Sequence, residues 1–124
     1  MENGFQTLER LIASSAIKHK VLASNIANSD TPGYKAKDVE FKAVLDDTQL
    51  ALNTTNNRHI GITNDSMDIN KMLTFQQRPS WGDGNNVEPD MEMAEMTENA
   101  LFYDASAKLL SSKIRMFKEA IRSK

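Results

Sequence analysis

From Met93 to Ile121 apolar side chains recur in alternating steps of three and four residues, at Met93, Met96, Ala100, Tyr103, Ala107, Leu110, Ile114, Phe117 and Ile121. The first 27 residues repeat the pattern at Phe5, Leu8, Ile12, Ser15, His19, Leu22 and Ile26, with Ser15 and His19 as polar interruptions. Steps of three and four average 3.5 residues, which keeps one stripe against a neighbour when the helix supercoils left-handedly; an ordinary surface helix drifts at 3.6. The pattern predicts a helix over 4–27 and a second from about Glu88 to Arg122, each with a seam that wants a helical partner.

Between the seams the pattern breaks. Asn28 to Gly33 brings Asn, Ser, Asp, Thr, Pro and Gly together, with Pro32 pre-setting φ at turn position i+1 and Gly33 supplying the positive φ of position i+2 in a type II turn. The first helix ends there. Val39, Phe41, Val44, Leu45 and Leu52 fit a short amphipathic helix or a strand around Val39 to Phe41, and the reading favours a helix from Asp38 to about Leu50. Residues 53–86 are rich in Asn, Asp, Thr and Gly and read as loop with short extended pieces. Asn85, Asn86 and Val87 then run into Glu88 and Pro89, a capping region followed by a first-turn proline. The expected fold is mainly α, one structural domain in three parts. An N-terminal assembly helix (1–27) and a C-terminal assembly helix (88–124) pack as a coiled-coil-like pair, and 28–87 holds the turn motif and an irregular middle with short helix or strand pieces.

The helix lengths do not match. At about 1.5 Å per residue the first spans roughly 36 Å and the second roughly 52 Å, so pairing within the chain leaves about 16 Å of the longer seam uncovered. Burying a Leu, Ile or Phe is worth about 1.5–3 kcal/mol, which favours a second subunit over that overhang. A small helical bundle is the alternative use of the same stripes. Charge on the second helix is segregated as well. Glu88, Asp90, Glu92, Glu95, Glu98 and Asp104 fill its first half, and Lys108, Lys113, Arg115, Lys118, Arg122 and Lys124 fill the second against Glu119. Macrodipole complementation fades within a terminal turn, and this polarity runs over several. Staggered neighbours would set acidic half beside basic half. The seam residues expected to carry assembly are Leu8, Ile12, Leu22, Ile26, Met96, Tyr103, Leu110, Ile114, Phe117 and Ile121.

Composition narrows the class. The chain has 124 residues, 40% hydrophobic and 26% charged, ordinary values for one soluble domain. Its longest apolar run, Ala100 to Tyr103, is far below the roughly 20 residues of a membrane span, and no basic n-region leads into an apolar h-region. Direct membrane insertion and a cleaved signal peptide are therefore not expected. A net charge of −2 argues against binding duplex nucleic acid. With no cysteine there is neither a disulfide framework nor a thiolate metal site. His19 and His59 are the two imidazoles, outside any HExxH spacing, and His19 lies on the helical seam, where a packed or partner-facing role outweighs metal ligation. Asp46 and Asp47 have no matched base, and Gly82, Asp83 and Gly84 lack the ligand spacing of a calcium loop and read as a turn. No catalytic, cofactor or metal constellation emerges.

The helix end Val21-Leu-Ala-Ser-Asn-Ile-Ala-Asn28, followed by Ser-Asp-Thr-Pro-Gly-Tyr-Lys-Ala36, resembles the N-terminal signature of bacterial flagellar rod, hook and hook-associated proteins. Asn25, Ala27, Asn28, Gly33 and Tyr34 match residue by residue, with Asp30, Thr31 and Pro32 inside the motif. Within that family the run from Asp30 through Asp38-Val-Glu-Phe41, the short length, and Gly84-Asn-Asn-Val87 before a Tyr103-containing helix look most like the proximal rod subunits. The likeness covers both ends of the chain, and 53–81 offers nothing to match.

The resemblance implies a structural subunit, not an enzyme. Such a subunit is exported unfolded through the flagellar type III apparatus without a cleaved signal peptide and polymerises through its terminal helices into the basal-body rod, transmitting torque and extending the export channel. The implied partners are copies of itself, other flagellar rod proteins, the adaptor joining rod to basal ring, and the export gate. Tyr34 is expected to pack where the chain leaves the first helix. The same residue types also suit a plain helix end closed by Asn and Asp side chains on nearby backbone. The rival reading is a cytoplasmic coiled-coil adaptor or secretion chaperone, dimeric through both seams and never exported.

Overall fold

The computed structural model describes residues 2–40 and 73–123. Along them run α1 (Glu2–Ala27), β1 (Lys37–Val39), β2 (Leu73–Phe75) and α2 (Pro89–Arg122). The two long helices pack against each other, in antiparallel sense. Asn25 lies beside Glu92, Ser15 beside Asn99, and the Phe5 and Phe117 rings stand 5.2 Å apart. The fold is mainly α, with a short strand pair between the helices. At 26 and 34 residues the helices differ by about 12 Å, a smaller overhang than the 16 Å expected.

Local chemistry ends α1. Asn28 N–H still reaches the Ser24 carbonyl at 3.1 Å, and its side-chain amide caps the same oxygen at 2.8 Å. Tyr34 N–H then donates to Thr31 C=O, with Pro32 and Gly33 at the turn's centre and Gly33 at φ +74°, the backbone of the expected type II turn. A second turn, Trp81 to Gly84, packs on the first. Gly33 N–H donates to Asp83 C=O at 2.9 Å, and Gly84, at φ +82°, sits so close that an added Cβ would lie 3.4 Å from the Gly33 Cα.

β1 and β2 pair antiparallel, Asp38 opposite Thr74. Val39 is buried against Ile17, Val21 and Leu73, which pins the strand pair to the C-terminal half of α1. The helix expected from Asp38 is corrected at its start, because Asp38 and Val39 are extended in the pair with β2 and Val39 N–H is taken by Asp38 Oδ1 at 2.7 Å. Its remainder, like Leu52, Asn56, His59 and the Asp46-Asp47 pair, lies outside the described residues. The capping expectation also changes. Glu88 is the N-cap of α2 and makes no side-chain cap bond, Pro89 opens the helix, and Asn85 and Asn86 are engaged elsewhere.

Candidate assembly surface

The face of α2 turned to α1 is not the apolar stripe read from the sequence. Glu92, Asn99 and Ser106 are its buried positions, seven residues apart, with Met96 half-buried between them and Leu110 and Phe117 half-buried further along. The other half of the stripe sits one residue further round. Ile114 and Ile121 are 53% and 75% exposed, and Met93 and Tyr103 are exposed too. On α1, Leu22 is buried and Leu8, Ile12 and Ile26 are half-buried. His19 is exposed at the edge of a groove between the helices.

Polar side chains occupy this inner face because each finds a partner there. Ser15 Oγ donates to Asn99 Oδ1 at 2.9 Å, and Asn99 Nδ2 returns a bond to the Ser15 carbonyl at 2.9 Å. Glu92, fully buried, receives Asn25 Nδ2 on one oxygen and Arg78 Nη1 on the other, both at 2.9 Å. Arg78 Nη2 reaches on to Glu95 at 3.2 Å. Breaking such a buried pair by removing one member typically costs about 3–5 kcal/mol. Burial, the largest influence, lifts the Glu95 carboxyl above its ordinary range; Lys18 pulls it back, Asp38 and Glu92 push it further up, and Arg78 pulls it down.

Asn25 is the hub of the motif. Its amide nitrogen donates to Lys37 C=O at 2.8 Å as well as to Glu92, and its oxygen accepts Lys37 N–H at 3.0 Å and the Tyr34 hydroxyl at 3.2 Å. Both donors and both acceptor sites of the amide are thereby filled. One side chain thus joins the end of α1, the turn, β1 and α2. Tyr34 packs where the chain leaves α1, as expected. Asn28 caps the helix and accepts the Thr31 hydroxyl at 3.2 Å, while Ala27, Asp30 and Pro32 stand exposed around the turn.

The structure gives Asn85 and Asn86 a role other than the helix cap the sequence suggests. Asn85 Nδ2 lies 2.8–2.9 Å from the carbonyls of Asn28, Ser29 and Thr31, and Asn85 Oδ1 accepts Val87 N–H at 2.7 Å. Asn86 bridges Ala36 N–H and Gln76 C=O. These two side chains hold the turn after α1 against the entrance to α2. Their signal in the sequence was an Asn pair next to a buried valine, which reads equally well as a cap.

The motif segment matches a family model described as flagella basal body rod protein, over residues 10–35. The flagellar basal body rod protein FlgB of Bacillus subtilis (strain 168) is 35% identical over 122 residues, covering 94% of this chain and 91% of that protein. The chain belongs to the FlgB family of flagellar basal-body rod proteins. FlgB of Escherichia coli (strain K12) is 35% identical over 120 residues, 87% of this chain and 85% of that one. FlgB of Aeromonas hydrophila is 36% identical over 107 residues, 83% and 80% of the two chains.

The FlgB family match gives the inverted seam a context. Leu109 and Met116 on one flank of α2 and Ile114 on the other are left exposed. Two members of the acidic half, Glu92 and Glu95, are engaged by Arg78 within the chain, so the charge segregation of α2 is weaker at its surface than in the sequence. Among the described residues, no group of three or more His, Cys, Asp or Glu is placed to hold a metal, and no helix is long and apolar enough to cross a membrane.

Proposed function

We propose that this chain is a structural subunit of the flagellar basal-body proximal rod that polymerises through its two terminal helices. The observation that carries the reading is the apolar surface of α2, where Leu109, Ile114, Met116 and Ile121 are all more than half exposed on a helix whose inner face is already closed by polar bonds. Large apolar side chains left exposed along both flanks of one helix mark surfaces that assembly covers. The partners are further copies of the chain, other rod proteins, the adaptor between rod and basal ring, and the export gate. Polymerised, the helices transmit torque and extend the export channel. The export route follows the family resemblance, delivery through the type III apparatus without cleavage of a leader.

Replacing Ile114 with Asp tests the reading, because that side chain is outside the helix pair. The purified Ile114→Asp chain should keep its helical circular dichroism and unfold within about 0.5 kcal/mol of wild type, as exposed substitutions do. In a null strain it should fail to restore rods and motility, since it sets a carboxylate into a surface that assembly buries. Leu110→Asp, half-buried beside α1, should lose both stability and assembly. Rods built normally by Ile114→Asp but abolished by Asn56→Asp, in the polar middle, would move the polymerising surface away from the terminal helices. A wild-type chain that stays in the cytosolic fraction instead of copurifying with basal bodies would favour an adaptor or chaperone.

A further inference from the structure

The two flanks of α2, on either side of its seam with α1, differ in shape. On one flank Phe102, Leu109 and Met116 follow each other at seven-residue spacing, and Leu109 and Met116 are 61% and 62% exposed. They form a convex row. It continues the line of Glu95, which Arg78 reaches at 3.2 Å. On the other flank the helices enclose a groove with Ala16 and Ala100 among its walls, Lys20 on the α1 side and Asp104 on the α2 side. Ala16 and Ala100 leave room between the helices there, with Tyr103 and His19 at the walls. Ala100 and Leu109 are nine residues apart, two and a half helical turns, so groove and row point to opposite sides of α2.

With the row on one side of α2 and the groove on the other, a single two-fold contact cannot seat row in groove. The arrangement suits a head-to-tail contact, which closes into a ring or continues as a helical filament. Charge agrees with that geometry. Lys108 adjoins Leu109 on the side of the row away from α1, and Asp104 borders the groove on the α2 side, so neighbouring copies in the same orientation bring the two together. Glu98, one turn before Phe102, is exposed on the row side and faces the Lys20 rim in the same arrangement. We propose that the occupant of the groove is a second copy of this chain, which seats its Phe102, Leu109 and Met116 row between Ala16 and Ala100. This rests on the reading of the chain as a polymerising subunit and adds which surfaces meet and that the contact is heterologous.

The chain has no cysteine, so paired substitutions report the contact directly. Ala100→Cys and Leu109→Cys are introduced singly and together, and isolated basal bodies are oxidised. Within one chain the two positions are about 13 Å apart along the helix, too far for a disulfide, which needs Cα atoms within about 7 Å. The double variant should give covalent dimers and higher species, and each single variant should stay monomeric. Basal bodies that contain the double variant without any cross-link overturn the proposal, as do dimers from Leu109→Cys alone, which would mean a symmetric contact. If the double variant does not enter basal bodies, the two purified single variants are mixed at high concentration. A covalent heterodimer at least tenfold above either homodimer supports the proposal, and equal or absent cross-linking overturns it. Absence of the wild-type chain itself from basal bodies would instead strike the rod reading.

Discussion

Asn25→Asp changes one atom of the chain and should be among its most damaging substitutions. In the native hub, Asn25 Nδ2 donates to Glu92 at 2.9 Å and to Lys37 C=O at 2.8 Å. The substitution puts a carboxylate oxygen where that donor was. Two carboxylates at this distance repel by about 6 kcal/mol at an effective dielectric of about 20. Taking up a proton is cheaper. For an Asp with an ordinary value near 3.9, protonation at pH 7 costs about 4 kcal/mol, and the acid then donates to Glu92 as the amide did. The lost bond to Lys37 C=O adds about 1 kcal/mol. The expected penalty is thus about 5 kcal/mol at pH 7.

The sign of its pH dependence follows. The introduced carboxyl has a raised folded-state pKa, so its share of stability is intact below the ordinary Asp value and is lost as pH climbs toward the raised one. Between about pH 7 and about pH 5 the penalty should shrink by roughly 3 kcal/mol, at 1.36 kcal/mol per unit. Asn25→Ala should instead lose about 3–4 kcal/mol from its four bonds, without that slope. Urea unfolding followed by circular dichroism across this range, with wild type subtracted at each pH, measures all three chains. A penalty for Asn25→Asp that is flat in pH, or an Asn25→Ala chain as stable as wild type, would refute the hub.

Asn85 should rank its replacements in the same unusual order. Its amide nitrogen faces three carbonyl oxygens, so Asn85→Asp should destabilise by more than Asn85→Ala, each by at least about 2 kcal/mol in thermal or urea unfolding; an Asp chain more stable than the Ala chain would sink this account. For Glu95, burial raises the folded pKa, so its share of stability is present below about pH 4.5 and is lost as pH rises through the raised value. Glu95→Gln should remove that loss and stabilise the chain at neutral pH, and a variant less stable than wild type at about pH 7 would show that the Arg78 pairing outweighs the burial.

Both helices and the turn between α1 and β1 were legible because local residues specify them. Ser and Asn break α1 where its carbonyls can be capped by Asn28, and Pro32-Gly33 admits few turns besides type II. Tyr34 was legible for the same reason, since its partner Asn25 lies nine residues away. The facing of α2 was not. Hydrophobic periodicity counts apolar positions alone, and here Glu92 and Asn99 are inside because partners from far along the chain meet them. Ser15 lies 84 residues from Asn99, and Asn25 67 from Glu92. The polar interruption at Ser15 was the visible half of that pairing. Likewise Asn85 reads as a helix cap in isolation, and its bonds to carbonyls 54 to 57 residues away emerge only once the two turns are stacked.

The offset of one residue between the polar and apolar stripes separates two jobs on the same helix. Turning α2 by about 100° would bury Met93, Ala100, Ala107 and Ile114 against α1, a gain of about 1.5–3 kcal/mol for each large side chain. It would also orphan Glu92 and Asn99, at about 1–3 kcal/mol for each unpaired group and more for a charge. Hydrogen bonds are directional, so the native facing is selected sharply, whereas apolar stripes slide and rotate with little loss. A hairpin held by Leu and Ile on both sides would present a neighbour's helix with the same kind of surface that holds the hairpin itself, and the two contacts would compete. With Ser15, Asn25, Glu92 and Asn99 inside, a neighbour's apolar flank cannot replace the internal pairing without leaving those groups unsatisfied. On the rod reading, that is why the exposed row and groove remain available for the next copy while the hairpin keeps its own register.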